Sequence, residues 1–386
     1  MYREFEAALD AAVDAGRVAG AVALVTGRDG PTYRRAAGRR SLGEPAPMTP
    51  DTLFWIASMT KAIASVAALQ LVERGRLSLD GDLADLLPDL AGLEVLEGFD
   101  AGQRPRLRPA RTPVTLRRLL THTSGFGYAW ISPDLAAWLQ ATGAADASSG
   151  LRAAHRQPLL FDPGEGWAYG LGTDWVGIAV EAASGQRLDA YLAEHLFAPL
   201  GMTDTVFAPS AAQAARKAGM HARGPDGGLV PMPFARRSDP EVLSGGGGLY
   251  STAADYGRFL TLLLNGGAGE GGRLLSPASM AELATVQTGA RRAAAWTGAA
   301  PHLSRDIDLF PGMATGWGLA TMITPEASPD GRSAGALAWA GLANTYYWAD
   351  PTAGVAGLIL TQVLPFGDPD VLSLFAALER GAYGKS

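Results

Sequence analysis

Ser58-Met-Thr-Lys61 places a hydroxyl and an amine three residues apart, on one face of any helix that contains them. At a helix N-terminus the Ser58 backbone N–H has no intrahelical acceptor and is available to an oxyanion. A lysine withdrawn from water moves toward neutrality and can take the serine proton, which is how a hydroxyl becomes a nucleophile. The same residues also read as an N-capping serine followed by a surface lysine. The sequence beyond them favours the first reading. Ala62-Ile-Ala-Ser-Val-Ala-Ala-Leu-Gln-Leu-Val72 is almost wholly apolar, and a helix apolar on every side is a buried one. Lys61 then enters the interior, where an amine is perturbed enough to act as a base.

Composition narrows the alternatives. The chain has 386 residues and no cysteine, which removes disulfides, thiolate metal sites, iron–sulfur clusters and cysteine nucleophiles together. Lysine occurs only at Lys61, Lys217 and Lys385. The five histidines, His122, His155, His195, His221 and His302, show no i, i+4 pairing and no HExxH, so no metal is expected. A net charge of −6 without a basic tract argues against nucleic acid. The run Ala62–Val72 is about half of the ~20 residues a membrane span needs. The start, Met1-Tyr-Arg-Glu-Phe-Glu6, lacks a basic region leading into an apolar one, so the expected location is cytoplasmic.

The elements that must position Ser58 and Lys61 follow from periodicity. Residues 2–15 read as a helix stopped by Gly16. Gly20–Thr26 and Thr32–Ala37 read as a hairpin. A helix is expected from Ser58 to about Arg74. From about 80 to 290 the chain reads as helices and long loops, with helices at 117–121, 135–141, 172–183 and 254–264. Strands return at Gly316–Ile323, Ala334–Gly341, Thr345–Ala349 and Val355–Thr361, and a helix near 369–378 closes the chain. The expected fold is α+β: one antiparallel sheet flanked by helices, with a large, mainly helical insertion. Residues 1–80 with 291–386 would form the sheet domain and 81–290 the helical one, with the active cleft between them.

Six short segments, in this order, resemble the serine β-lactamase and penicillin-recognising superfamily, and most of all its family VIII carboxylesterases. They are Phe54-Trp-Ile-Ala-Ser-Met-Thr-Lys61, Leu119-Leu-Thr-His-Thr-Ser-Gly125, Pro163-Gly-Glu-Gly-Trp-Ala-Tyr169, Pro199-Leu-Gly-Met202, Ser244-Gly-Gly-Gly-Gly-Leu-Tyr-Ser-Thr252 and Trp339-Ala-Gly-Leu-Ala-Asn-Thr345. The resemblance makes Ser58 the nucleophile, Lys61 its partner and Tyr169 the proton relay to the leaving group. It implies that a phenol beside an ammonium ionises below its usual pKa of about 10, and that Lys61 and Tyr169 titrate as a pair. From the residues alone, Tyr169 is a loop tyrosine. The resemblance also puts Trp339-Ala340-Gly341 on the edge strand of the sheet and completes the oxyanion hole with the N–H groups of Ser58 and Leu342.

Two departures from the lactamase pattern matter. Trp339 stands where lactamases carry the lysine that binds a substrate carboxylate, and a neutral indole cannot pair with a carboxylate. Leu171 stands where their tyrosine motif ends in asparagine. Ala340 departs from the esterase pattern, which has glycine there, and is expected to narrow the pocket. Tyr128, Trp130, Trp296, Trp317 and Trp348 read either as core or as pocket walls. Tyr128 and Trp130 are the first choices for a hydrophobic acyl or alcohol pocket, with a structural aromatic cluster as the equal alternative, and Trp317 is taken as a further wall.

Other motifs have simpler readings. Gly331-Arg-Ser-Ala-Gly335 fits a nucleophile elbow, but turn residues precede it, a strand follows it and no histidine lies beyond His302. Ser333 is read as a hairpin residue. Lys217-Ala-Gly219 lies in the helical insertion, with Ala where Thr or Ser is required. His122 reads as a residue that caps a helix or bridges backbone groups, and Gly245–Gly248 as a tight loop near the cleft. The expected function is hydrolysis of short- to medium-chain carboxylic esters through a Ser58 acyl-enzyme, with a small-molecule substrate and no cofactor. The alternatives are a weak β-lactamase, a D-amino-acid peptidase or amidase, an acyltransferase, and an inactive binding protein on the same scaffold.

Overall fold

The computed structural model describes residues 1–237 and 239–385. The N-terminal helix α1 (Arg3–Asp14) leads into a hairpin of β1 (Gly20–Gly27) and β2 (Gly30–Gly38). The near-C-terminal strands are β3 (Gly316–Trp317), β4 (Met322–Thr324), β5 (Ala336–Gly341), β6 (Thr345–Asp350) and β7 (Val355–Leu360). Together they form one antiparallel seven-stranded sheet in the order β3-β4-β5-β6-β7-β1-β2. The two ends of the chain meet at β1 and β7, where Val22 faces Leu360 and Leu24 faces Leu358.

Helices cover both faces, so the central strands are apolar on both sides and do not alternate. Consecutive residues of β6 show this. Tyr347 packs on Tyr256 of the helix Ala253–Leu264, whereas Trp348 packs on Phe375 of the closing helix Pro369–Ala382. Successive strand side chains point to opposite faces, so these two helices lie on opposite sides of the sheet. The closing helix shares its side with α1.

The long buried helix α2 (Thr60–Glu73) follows a 3₁₀ turn over Ala57–Met59. It packs against α3 (Gly172–Ser184), itself buried through Val180. Side chains of α2, α3 and the sheet belong to one continuous apolar core.

Four expectations change. Gly316–Ile323 is not one strand but the β3–β4 hairpin, closed by a Gly318 N–H to Thr321 C=O bond. β5 is an inner strand, because β4 pairs with its first half: Met322 faces Ala338, and the pairing ends there. Trp339–Gly341 runs past the end of β4, so this inner strand still presents one open side to the cleft. The helix Ala253–Leu264 packs directly on β1 and β7, so a boundary at 290 cuts through the layer that covers the sheet. The middle of the chain also contains strands, notably the hairpins Glu94–Phe99 with Pro105–Pro109 and Met220–Arg223 with Leu229–Met232.

Candidate active site

Between Thr52 and Leu71 every residue is buried except Ser58. The chain reaches this point from Phe54–Trp55, which pairs with Tyr250–Ser251. It then turns through Ala57 at a φ of 44°. A side chain in the left-handed region costs of order 1–3 kcal/mol and persists only where the surroundings enforce it. Here it lifts Ser58 out of the core at the head of α2. Gly341 lets β5 come close to this turn, since a Cβ there would collide with the Ile56 carbonyl oxygen and the Thr345 hydroxyl.

Lys61 is 1 % exposed, and its Nζ has three acceptors. It lies 3.2 Å from Ser58 Oγ, 3.0 Å from the Tyr128 hydroxyl and 2.6 Å from the Gly246 carbonyl oxygen. Burial pulls its pKa down from 10.5 to about 7, against the opposing attraction of Asp174. The amine is therefore half neutral near pH 7. A neutral amine has two N–H donors and one lone pair. The Gly246 carbonyl can only accept, so it takes one N–H. The hydroxyls of Ser58 and Tyr128 can each donate or accept. With Tyr128 accepting the second N–H, the lone pair faces the Ser58 proton.

The loop that delivers Gly246 is fixed from α3. Asp174 Oδ1 accepts the Ser244 hydroxyl at 2.6 Å and the Gly246 N–H at 3.0 Å. A Cβ on Gly246 would press on the Asp174 carboxylate at 2.7 Å, so a side chain there would displace the carbonyl from Lys61.

Tyr169 stands beside this pair. The Trp339 indole N–H donates to its hydroxyl at 2.9 Å, and Lys61 Nζ lies 4.7 Å from its ring centre. Burial pushes its phenol well above the usual value, outweighing the lowering effect of hydrogen bonds from Ser58 and Trp339. The expectation of a readily ionised Tyr169 is thus reversed: the phenol is a retained proton, and Lys61 is the group poised to accept one. The peptides on either side of Tyr169 are tied to one residue. The Ala168 N–H donates to the His122 carbonyl oxygen at 2.9 Å, and the Gly170 N–H to His122 Nδ1 at 3.4 Å. His122 sits at a φ of 58°, and burial holds its ring neutral.

Ser58 and Tyr169 line a narrow cleft with Trp130, Trp296, Trp339, Ala340, Gly341, Leu342 and Phe366. The structure therefore brings Trp130 and the whole Trp339–Leu342 segment to Ser58. Two predicted pocket residues lie elsewhere, and a third has a further role. Tyr128 packs on Trp130 and on Tyr169 beside the cleft, and its hydroxyl is a polar partner of Lys61. Trp317 is fully buried behind Trp339, 4.4 Å between rings, with its indole N–H on the Leu120 carbonyl oxygen. Leu171 is 1 % exposed, in the core at the start of α3. Trp296, read as either core or lining, is lining, with its ring parallel to Tyr169 at 5.5 Å.

Sequence reasoning missed Phe366, Asp174 and the role of Tyr128. Gly166-Trp-Ala-Tyr-Gly-Leu-Gly-Thr-Asp174 carried the only usable signal, a carboxylate five residues after the tyrosine at a helix start. Lys217 lies over Tyr250, 5.9 Å from its ring centre, and not at Ser58. Among the described residues no group of three or more His, Asp or Glu is arranged to hold a metal ion, and no helix is long and apolar enough to cross a membrane.

The family model described as Beta-lactamase matches residues 5–380. The chain belongs to that family. Among curated relatives it is 33% identical to the lovastatin esterase of Penicillium rubens over 94% of this chain and 93% of that protein. It is 33% identical to the monacolin J acid methylbutanoyltransferase of Aspergillus terreus over 98% and 95%. The unliganded simvastatin synthase LovD of Aspergillus terreus superposes with a TM-score of 0.86 at 31% identity, over 99% of this chain and 97% of that one. The hydrolase EstCE1, at 21% identity and a TM-score of 0.76, shares the fold. These findings make the chain a hydrolase or acyltransferase of the β-lactamase fold.

Proposed function

We propose that the protein is a serine carboxylic ester hydrolase acting on short- to medium-chain esters. One observation carries the reading: a fully buried Lys61, brought to a pKa of about 7 and 3.2 Å from the Ser58 hydroxyl that lines the cleft. Neutral Lys61 takes the Ser58 proton as Oγ bonds to the ester carbonyl carbon. The N–H groups of Ser58 and Leu342 receive the resulting oxyanion. When the intermediate collapses, the C–O bond to the alcohol breaks. The leaving oxygen takes the Tyr169 proton, and Tyr169 is reprotonated at the expense of Lys61. Water attacks the acyl-enzyme by the reverse sequence, and the carboxylic acid leaves.

Acyl transfer is the second reading, and one feature of the cleft favours it. Trp130, Trp296, Trp339 and Phe366 surround Ser58 with aromatic surface, which offers little to hold a water and much to hold an apolar alcohol. Relatives named as an esterase and as a methylbutanoyltransferase match at the same identity. Labelling with a fluorophosphonate followed by peptide mapping tests the nucleophile. The adduct is expected on Ser58, and a label elsewhere overturns the mechanism. Turnover of 4-nitrophenyl butyrate with and without a branched alcohol then divides hydrolysis from transfer by the product formed.

A further inference from the structure

The replacement of lysine by Trp339 removes a cation from β5, but it does not leave the site without one. Beyond the strand Leu229–Met232 the chain runs back over Trp55. Phe234 packs on that indole with 4.6 Å between ring centres, and two residues later the Arg236 guanidinium lies over it at 5.5 Å. Phe234 and Arg236 thus contact the same ring.

Trp55 is not a remote support. Its indole N–H donates to the Gly247 carbonyl oxygen at 2.8 Å, next to the carbonyl that holds Lys61. Trp55 and Phe234 also share an apolar cluster with Leu342, which lines the cleft. Arg236 is therefore one residue layer from the catalytic groups, and the charge effects on it come from Tyr250, Asp174 and Tyr128.

The guanidinium is partly buried and has no carboxylate within ion-pair distance among the described residues. Asp174 is the acid whose charge acts on it, but its Oδ1 is committed to Ser244 and Gly246. Its neighbour differs: Arg237 is engaged with the Asp239 carbonyl oxygen. A cation taken partly out of water with a ring face but no anion beside it is incompletely compensated, and an anion docking with bidentate geometry supplies the rest.

We propose that Arg236 over Trp55 forms an anion subsite beside the catalytic cleft, and that the preferred substrate is an ester bearing a carboxylate on its acyl or its alcohol part. This rests on the ester-cleaving reading above and names its substrate class.

The test compares two pairs of esters. For the acyl side, the mono-4-nitrophenyl ester of adipic acid is set against 4-nitrophenyl hexanoate. For the alcohol side, 4-(butanoyloxy)benzoic acid is set against its methyl ester. The readout is the ratio of kcat/KM for the anionic ester to that for the neutral one. Arg236→Gln is expected to lower this ratio about tenfold or more in one pair, chiefly through KM, as loss of a charge-assisted bond does. The pair that responds shows which part of the substrate carries the anion. Arg236→Lys recovers part of the ratio, and Arg237→Gln leaves it as in the wild type. A ratio unmoved by Arg236→Gln in both pairs overturns the subsite. Should that variant not fold, the wild-type ratio must fall between low salt and 0.5 M NaCl, taken as roughly a 4 Å screening length, and a flat ratio overturns the proposal. Wild-type protein that cleaves none of the four esters overturns the ester reading, and this inference with it.

Discussion

The Trp339 indole N–H donates to the Tyr169 hydroxyl at 2.9 Å. In the proposed mechanism this bond places Trp339 on the proton relay. Tyr169 can take a proton from a neighbour and release it to a leaving alcohol only if its oxygen is stabilised while it is charged, and the indole is the fixed donor aimed at it. Trp339→Phe keeps most of the apolar surface and removes this bond. It is expected to lower kcat for 4-nitrophenyl butyrate by about 10- to 100-fold with a near-native Tm. An unchanged kcat shows that Trp339 acts only as a wall.

In the proposed mechanism, Lys61 sets the pH dependence. Its pKa falls from 10.5 to about 7 in the folded protein, and the base form is the neutral amine. Acylation, read as kcat/KM, should therefore rise through about pH 7 and level off above it. Lys61→Arg, which cannot become neutral, should remove that rise along with nearly all activity.

The same shift has a consequence for stability. The unfolded chain holds the Lys61 proton up to about pH 10.5, whereas the folded chain releases it near 7. Stability is thus lost as pH falls from about 10 to 7, and no more is lost below that. Lys61→Met, which carries no charge in either state, should be inactive but more stable. Its Tm advantage should widen from pH 10 to pH 7 and then stay constant, which thermal unfolding across that range measures.

His122 shows why part of the site was legible and part was not. Its place in Leu119–Gly125 identified it as a residue that bridges backbone groups, because a histidine at a helix end has nearby peptides to meet. Which peptides it meets, those flanking Tyr169, depends on two loops 47 residues apart coming together. Ser58, Lys61 and α2 were readable because one helical turn and an apolar run are local facts. The bond from Lys61 to Tyr128 and the Asp174 anchor under Gly246 join distant segments through tertiary packing, which no spacing encodes. The β3–β4 hairpin was missed because its turn, Gly318-Leu-Ala-Thr321, is as apolar as the strands and carries one turn residue.

Ser333 separates the two serine motifs experimentally. It lies just before β5, and Trp339–Gly341 at the other end of that strand faces the cleft, about 17 Å of strand away. Its N–H donates to Asp350 Oδ2 at 2.7 Å, a backbone contact that alanine keeps. Ser333→Ala should retain wild-type kcat/KM, while Ser58→Ala should lose turnover. Loss of activity in Ser333→Ala reinstates the elbow motif as the catalytic one.

Asp174 gives the most discriminating test, because it acts on Lys61 in two ways. Its charge raises the Lys61 pKa against the effect of burial, and its Oδ1 holds the Ser244 hydroxyl and the Gly246 N–H. Both bonds end on one oxygen, so Asp174→Asn can keep them through its amide oxygen while losing the charge. The rising limb of kcat/KM should then move to lower pH by roughly half a unit to one unit, with the plateau kept within about threefold. Asp174→Ala removes the anchor as well as the charge, leaving Ser244 and Gly246 without their acceptor and Lys61 without a fixed carbonyl. Its plateau should collapse by ~100-fold or more. A limb that stays in place in Asp174→Asn shows that the carboxylate acts on Lys61 only by holding the loop.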